Sequence, residues 1–316
     1  MQRRRFIKIL ASSAASLPLS AAHLTDAPLH PVKWHGYTLG AKGSITLFQN
    51  DRSQASASLH KCFAEIQRLE KIFSLYDHHS ELSQLNRTGA LANPSKEWTP
   101  LLQAVNHAHA MTCGLFDPTI QPLWKVYETH FSNQPDDEIP AHRVQQALEK
   151  TGWGFVDFNA SQIKFTKPEM QLTLNGIAQG FITDRVTKLL RNAGYLHVLV
   201  ELGETSAIGK HPQNRPWNVG IKDANNTEQI HEVVELTDQA LATSGSYGST
   251  FTPEGDYHHL IHPKSGRPQT RWKSLSVIAP TATEADALST GLSFASEQEI
   301  NTLLRKRSDL QIYRQV

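Results

Sequence analysis

Cysteine is nearly missing from this chain: 316 residues contain two, Cys62 and Cys113. Two cysteines so far apart make no zinc signature, and no H-E-x-x-H supplies a histidine alternative. An excess of one charge is missing too. The 31 Lys and Arg residues against 30 Asp and Glu leave a formal net charge of +1, and no dense basic patch lies beyond the N-terminus, which argues against nucleic-acid binding. After the N-terminus no apolar run is long enough to cross a bilayer. There is no G-x-x-x-x-G-K-[ST] loop, since "GAKGS" at Gly40–Ser44 is too short. No G-x-G-x-x-G follows a strand, and "TSGSYG" is not the nucleophile elbow G-x-S-x-G. Repeats, low-complexity blocks and evident linkers are absent as well.

Histidine, by contrast, is abundant. There are sixteen, with doublets at His78-His79 and His258-His259. The N-terminus, "MQRRRFIKILASSAASLPLSAAHLTD", has basic residues, then a modest apolar stretch, then small residues suited to cleavage. "RRRFIK", Arg3 to Lys8, resembles a twin-arginine export signal. Cleavage is expected near Ala22. No cysteine follows that could carry a lipid anchor. The expected divisions are a signal over 1–22, a short extension over 23–35 and one domain over 36–316. The mature protein is expected to be soluble and periplasmic, exported by the twin-arginine machinery. In that compartment the two cysteines could pair; two buried free thiols are the favoured expectation.

Hydrophobic periodicity predicts strands over 36–49, then an amphipathic helix over 53–74 with Leu59, Phe63, Ile66, Leu69 and Phe73 on one side. A second helix follows Trp98-Thr99 and stops at Gly114, and "AHRVQQALEKTG" reads as a third. "FVDFNASQIKF" and "MQLTLNG" look like strands before a helix at "IAQGFITDRVTKLLRNAG". "HVLVELGETSAIG", "WNVGIKD", "IHEVVEL" and "LATSGSYG" continue as strands. Strands outnumber helices and often follow one another directly, which predicts an α+β fold with mixed, largely antiparallel sheets.

Near the C-terminus, "SLSVIAP" reads as a strand leading into "TATEADALSTG", Thr281 to Gly291. Asp286 and Thr290 stand one helical turn apart among small apolar residues, so both side chains can converge on one point. Water, a backbone donor or a cation could occupy that point, and a carboxylate near a helix start can also act as a simple cap.

Five further unusual segments accompany this one. They are "FSLYDHHSELSQLN" (73–86), "TCGLFDPTIQPLW" (112–124), "LTLNGIAQG" (172–180), "LATSGSY" (241–247) and "HHLIHPKSGRP" (258–268). Their order and content resemble the ApbE family, the FAD:protein FMN transferases, from about Gly36 to about Ser296. The resemblance implies an ApbE-like, T-fold-like architecture. Asp286 and Thr290, in the family's A-D-A-x-x-T pattern, would be magnesium ligands together with the backbone carbonyl of Gly176. All three offer oxygen, which suits a hard cation. His259 would be the general base, with His258 a structural neighbour. Leu39, Tyr76, Leu115, Phe116, Asp117, Thr173, Gln179 and Leu260 would contact FAD.

The sequence departs from the family pattern at several of these places. Thr173 stands for an aspartate and Gln179 for a lysine, a coupled change that keeps the local charge balance. Asn175 replaces a glycine, Glu204 a second glycine, and His262 the aspartate before proline. The resemblance implies Mg²⁺-dependent transfer of FMN from FAD to a Ser or Thr hydroxyl of a partner, with release of AMP. The expected acceptor is a flavoprotein of a membrane redox complex. The rival readings are a Mg²⁺-dependent FAD pyrophosphatase and a non-catalytic flavin-binding or carrier protein.

Overall fold

The computed structural model describes residues 29–134 and 137–316; the signal expected over 1–22 lies outside them. Strands β1 (His30–Thr38) and β2 (Ala41–Gln49) form a hairpin whose two turn residues, Leu39 and Gly40, have φ of 45° and 90°, the backbone handedness that tight hairpins require. Residues 30–35, read from the sequence as an extension, already pair with β2. Helix α1 (Arg52–Phe73) starts at Asp51, whose carboxylate accepts from the Ser53 and Gln54 amides at 2.9 and 3.0 Å. It buries Leu59, Ile66, Leu69 and Phe73, as the periodicity predicts, while Phe63 is only partly buried.

Helices α2 (Glu81–Thr88), α3 (Trp98–Met111), α4 (Gln121–Asn133) and α5 (Ala141–Leu148) follow. The short strand β3 (Ala90–Ala92) lies before α3, and a 3₁₀ turn covers Pro118–Ile120. Strands β4 (Val156–Phe158) and β5 (Gln162–Phe165) complete a three-stranded sheet with β3. Helix α6 spans Ala178–Asn192, followed by β6 (Val198–Glu201), β7 (Thr205–Ile208), β8 (Trp217–Lys222), β9 (Ile230–Leu236) and β10 (Ala240–Gly245). The chain ends with β11 (Ser274–Ala279), α7 (Ala282–Leu292), α8 (Glu297–Lys306) and β12 (Gln311–Gln315).

One large sheet runs in the order β1-β2-β6-β7-β10-β11-β12, antiparallel at every pairing. This is the mixed, antiparallel α+β architecture expected. Strand β11 is buried along its whole length because both faces are covered. Leu275, Val277 and Ala279 pack with α7 and α8, whereas Ile278 turns to the β8–β9 hairpin with Trp217 and Leu236, the two-residue alternation of a strand. Among the described residues no helix is long and apolar enough to cross a membrane.

Two expectations need correction. Residues 170–176 form no strand. The Leu172 backbone instead takes both its hydrogen bonds from the Asn86 side chain (N–H to Oδ1 2.7 Å, C=O from Nδ2 2.8 Å), and the Thr173 N–H donates to the Pro118 carbonyl at 2.8 Å. The alternating pattern is real, but a single amide side chain satisfies the backbone that a neighbouring strand would. Both cysteines are free, yet only Cys62 is buried; Cys113 is exposed, in the left-handed turn (φ 52°) that ends α3.

Candidate active site

The site is built on the junction of α6, α7 and β10. Helix α7 is capped twice, by Thr281 on the Glu284 amide (3.2 Å) and by Asp184 of α6, whose carboxylate accepts from the Ala282 and Thr283 amides at 2.8 Å each. Gly180 lets α6 approach so closely: a Cβ there would stand 2.3 Å from the Ala282 carbonyl oxygen and 2.9 Å from Asp286 Cβ. That approach brings the Gly180 N–H to Asp286 Oδ2 at 3.0 Å. One oxygen of Asp286 therefore meets a backbone donor, and its other oxygen is left for the cavity the residue lines. One turn on, Thr290 Oγ1 lies 3.2 Å from Ser244 Oγ of β10. Gly176 abuts Thr290, since a Cβ on it would come within 2.7 Å of Oγ1.

Asp286, Thr290, Ser244 and Gly176 line a cavity of about 240 Å³. Glu204, from the turn between β6 and β7, lines it too, and the nearby Thr243 amide favours its charged form. Burial holds the proton affinity of both carboxylates above the ordinary range. For Glu204 the Asp286 charge adds to this; for Asp286 the Gly180 bond opposes it and the Asp184 charge adds. Among the described residues no Lys or Arg side chain lines the cavity.

His259 lines the same cavity. Its Nδ1 lies 3.0 Å from the Ser249 carbonyl and 3.2 Å from the Ser249 amide. When Nδ1 carries the proton and donates to that carbonyl, Nε2 keeps a free lone pair. Burial lowers the affinity of this imidazole for a second proton, the Ser249 bond opposing. Leu115, Phe116, Trp124, Leu260 and Phe294 supply an apolar wall.

Segments from six parts of the chain thus meet at one cavity, and comparison with known proteins identifies the assembly. The ApbE family model matches residues 39–313. The chain belongs to the ApbE family. Curated relatives named FAD:protein FMN transferase include one from Vibrio cholerae, 30% identical over 90% of this chain and 86% of the relative. Another, from Salmonella typhimurium, is 26% identical over 86% and 80%. The solved flavin transferase ApbE of Vibrio cholerae has the same fold, with a TM-score of 0.79 at 23% identity over 91% of this chain and 98% of that one. The apbe protein of Thermotoga maritima has a TM-score of 0.78 at 25% identity, covering 90% and 94%. Membership places this chain among the transferases.

In this ApbE-family chain the cavity gathers His259, Leu115, Phe116, Asp117, Thr173, Gln179, Leu260, Gly176, Asp286 and Thr290. Two residues expected with them lie elsewhere. Leu39 sits in the β1–β2 turn, packs on the main core and donates its N–H to Glu70 Oε1 at 2.8 Å. Tyr76, 73% exposed, lines an adjoining groove that shares Trp124 and Asn175 with the cavity. Asp117 is engaged locally: Oδ1 accepts from the Thr119 N–H and hydroxyl (2.8 and 2.6 Å), and Oδ2 from the Trp153 N–H at 3.1 Å. His262 takes on the turn-capping role open to an aspartate, its Nδ1 accepting from the Lys264 and Ser265 amides at 3.2 Å each.

Sequence reasoning noticed Glu204 only as a departure and did not place Ser244 or Trp124 in the site. An acid between two apolar strands in "VLVELGETSAIG" was the available signal for the first.

His258 does not line the cavity. It is 6% exposed, its Nδ1 has no partner, and burial, with the neighbouring His259 charge, pushes its pKa down to about 4. Below the ordinary value of 6.5 the unfolded chain takes up a proton that the folded one refuses until about pH 4. The His258 contribution to stability is therefore constant above about 6.5 and falls as pH drops toward 4. The loss is about 2 kcal/mol between pH 7 and pH 5. Denaturant unfolding should show His258→Leu losing less over that interval than wild type; equal losses would assign the acid sensitivity elsewhere.

Proposed function

We propose that this chain is an FAD:protein FMN transferase that moves FMN from FAD onto a Ser or Thr hydroxyl of a partner protein. The observation carrying this reading is the cavity's polarity. Buried carboxylates, hydroxyls, an imidazole and an apolar wall line a single cavity. The pyrophosphate of FAD is anionic, and Asp286 and Glu204 would repel it without an intervening cation. The Asp286 carboxylate, with the Thr290 hydroxyl and the Gly176 carbonyl, forms a hard donor set that fits Mg²⁺. Among the described residues no three His, Cys, Asp or Glu side chains cluster as a metal site, so hydroxyl and carbonyl oxygens must complete it. Mg²⁺ bound there would neutralise phosphate charge and stabilise the departing AMP.

The chain's own residues do the rest. Asp286 and Thr290 orient the pyrophosphate end, and the apolar wall holds the flavin portion. His259 Nε2 takes the proton of the acceptor hydroxyl as its oxygen bonds to the phosphorus on the FMN side. The bridging P–O bond breaks, and AMP leaves with the bonding electrons. Incubation with FAD, Mg²⁺ and a candidate acceptor domain, followed by intact-mass measurement, tests the reading. An acceptor gain of one FMN less water, matched by AMP, supports it. FMN and AMP appearing free in solution would make the chain a pyrophosphatase, and unchanged bound FAD a carrier.

The reading includes export. The Arg3-Arg4 pair in "RRRFIK" supports twin-arginine delivery to the periplasm, where the flavin domain of a membrane redox complex would be the acceptor. Replacing Arg3, Arg4 and Arg5 together by Lys should hold the protein in the cytoplasm. Unchanged fractionation would remove the localisation.

A further inference from the structure

Glu204 has no role in holding the fold that its surroundings explain. It is 8% exposed, and its side chain lines the same cavity as Asp286, Thr290 and Gly176. The Thr243 amide beside it favours the charged form of its carboxylate, while a carboxylate offers about four acceptor sites. No salt-bridge partner reaches it among the described residues, and no Lys or Arg lines the cavity. An acid buried this deeply is ordinarily paired or bound to a metal, yet the charged residue that bears on it across the shared cavity is another carboxylate, Asp286.

The backbone presents Glu204 to the cavity deliberately. The turn that carries it is closed by the Leu202 N–H on the Glu204 carbonyl at 2.9 Å. Gly203, at φ 99°, packs against Gln179 of α6 so tightly that a Cβ would stand 2.7 Å from the Gln179 Cδ. Gln179, itself a cavity residue, thus fixes the turn from which Glu204 projects.

We infer that Glu204 is a second carboxylate ligand of the divalent cation held by Asp286 and Thr290. The inference rests on the metal reading given under the proposed function. Its consequence is order. One divalent ion cancels the formal charge of the two carboxylates, so the cation binds the free protein and the pyrophosphate then enters a neutral cavity. A site with one carboxylate would hold the cation weakly until the nucleotide arrived, because affinity for hard cations rises with ligand charge.

Mn²⁺ titrated into the FAD-free protein, followed by calorimetry and by the paramagnetic signal of free Mn²⁺, tests this without recourse to activity. Glu204→Gln should weaken Mn²⁺ by at least about tenfold. The rise in unfolding midpoint that Mn²⁺ gives wild type should shrink, while the metal-free midpoint should not fall, because a buried charge has been removed. Mn²⁺ affinity within twofold of wild type in Glu204→Gln, with Asp286→Asn weakened, overturns the inference and leaves the metal reading intact. Undiminished affinity in Asp286→Asn overturns both. If Glu204→Gln does not fold, Glu204→Asp decides, since it keeps the charge but shortens the reach. Weakened Mn²⁺ binding supports ligation, and unchanged binding rejects it.

Discussion

Asp286→Ala should reduce FMN transfer by about 10³-fold or more and weaken FAD binding chiefly when Mg²⁺ is present. The size follows from what the carboxylate is asked to do. A cation at a transferring phosphoryl group contributes several kcal/mol of transition-state stabilisation, and each 1.4 kcal/mol is about tenfold in rate. Asp286 also accepts the Gly180 N–H at 3.0 Å, so alanine loses a structural bond together with the ligand. Asp286→Asn separates the two, because its amide oxygen can still accept from Gly180 while the charge is gone. Transfer should be lost in Asn as in Ala, with the unfolding midpoint of the Asn variant near wild type. Thr290→Ala should lose less, since a hydroxyl offers a dipole where a carboxylate offers a charge. Full transfer in the presence of EDTA, or in Asp286→Asn, would defeat the metal assignment.

How much of this site could be read before folding depends on the residue. Asp286 and Thr290 were legible as a pair because helical spacing alone puts them on one face, and α7 is a helix over Ala282–Leu292. What they meet was not legible: it is set by Gly180 bringing α6 onto α7, a contact between residues about a hundred positions apart. Helix α1 declared itself through long apolar periodicity, whereas α2 did not, with only Leu82 and Leu85 buried over Glu81–Thr88. Helix α8 carries a capping box, Ser296 with Glu299, a start signal written in the sequence itself. Residues 170–176 show the opposite failure, a strand-like alternation whose backbone is satisfied by Asn86. Glu204 stood out in the sequence only as a departure from a family glycine; its burial comes with the packing of the β6–β7 turn, where Gly203 meets Gln179 of α6.

His259→Ala should retain FAD and metal affinity and slow transfer by roughly 10²–10⁴-fold, the usual weight of one general acid–base group. The geometry makes the assignment specific. In the tautomer whose Nδ1 donates to the Ser249 carbonyl at 3.0 Å, Nε2 is left to receive the hydroxyl proton. Asp117, a carboxylate of the same lining, has both oxygens occupied by the Thr119 and Trp153 donors. Burial lowers the His259 pKa from its ordinary 6.5, so the neutral, proton-accepting form persists to more acid pH. The wild-type rate should accordingly stay level down to below pH 6.5 before falling, and His259→Ala should lose that acid limb together with the rate. His258→Ala should cost little activity, because the ring lies outside the cavity, and should show its effect in acid stability. Equal rate losses at both histidines would make the doublet structural, and a full rate in His259→Ala would remove the base from this position.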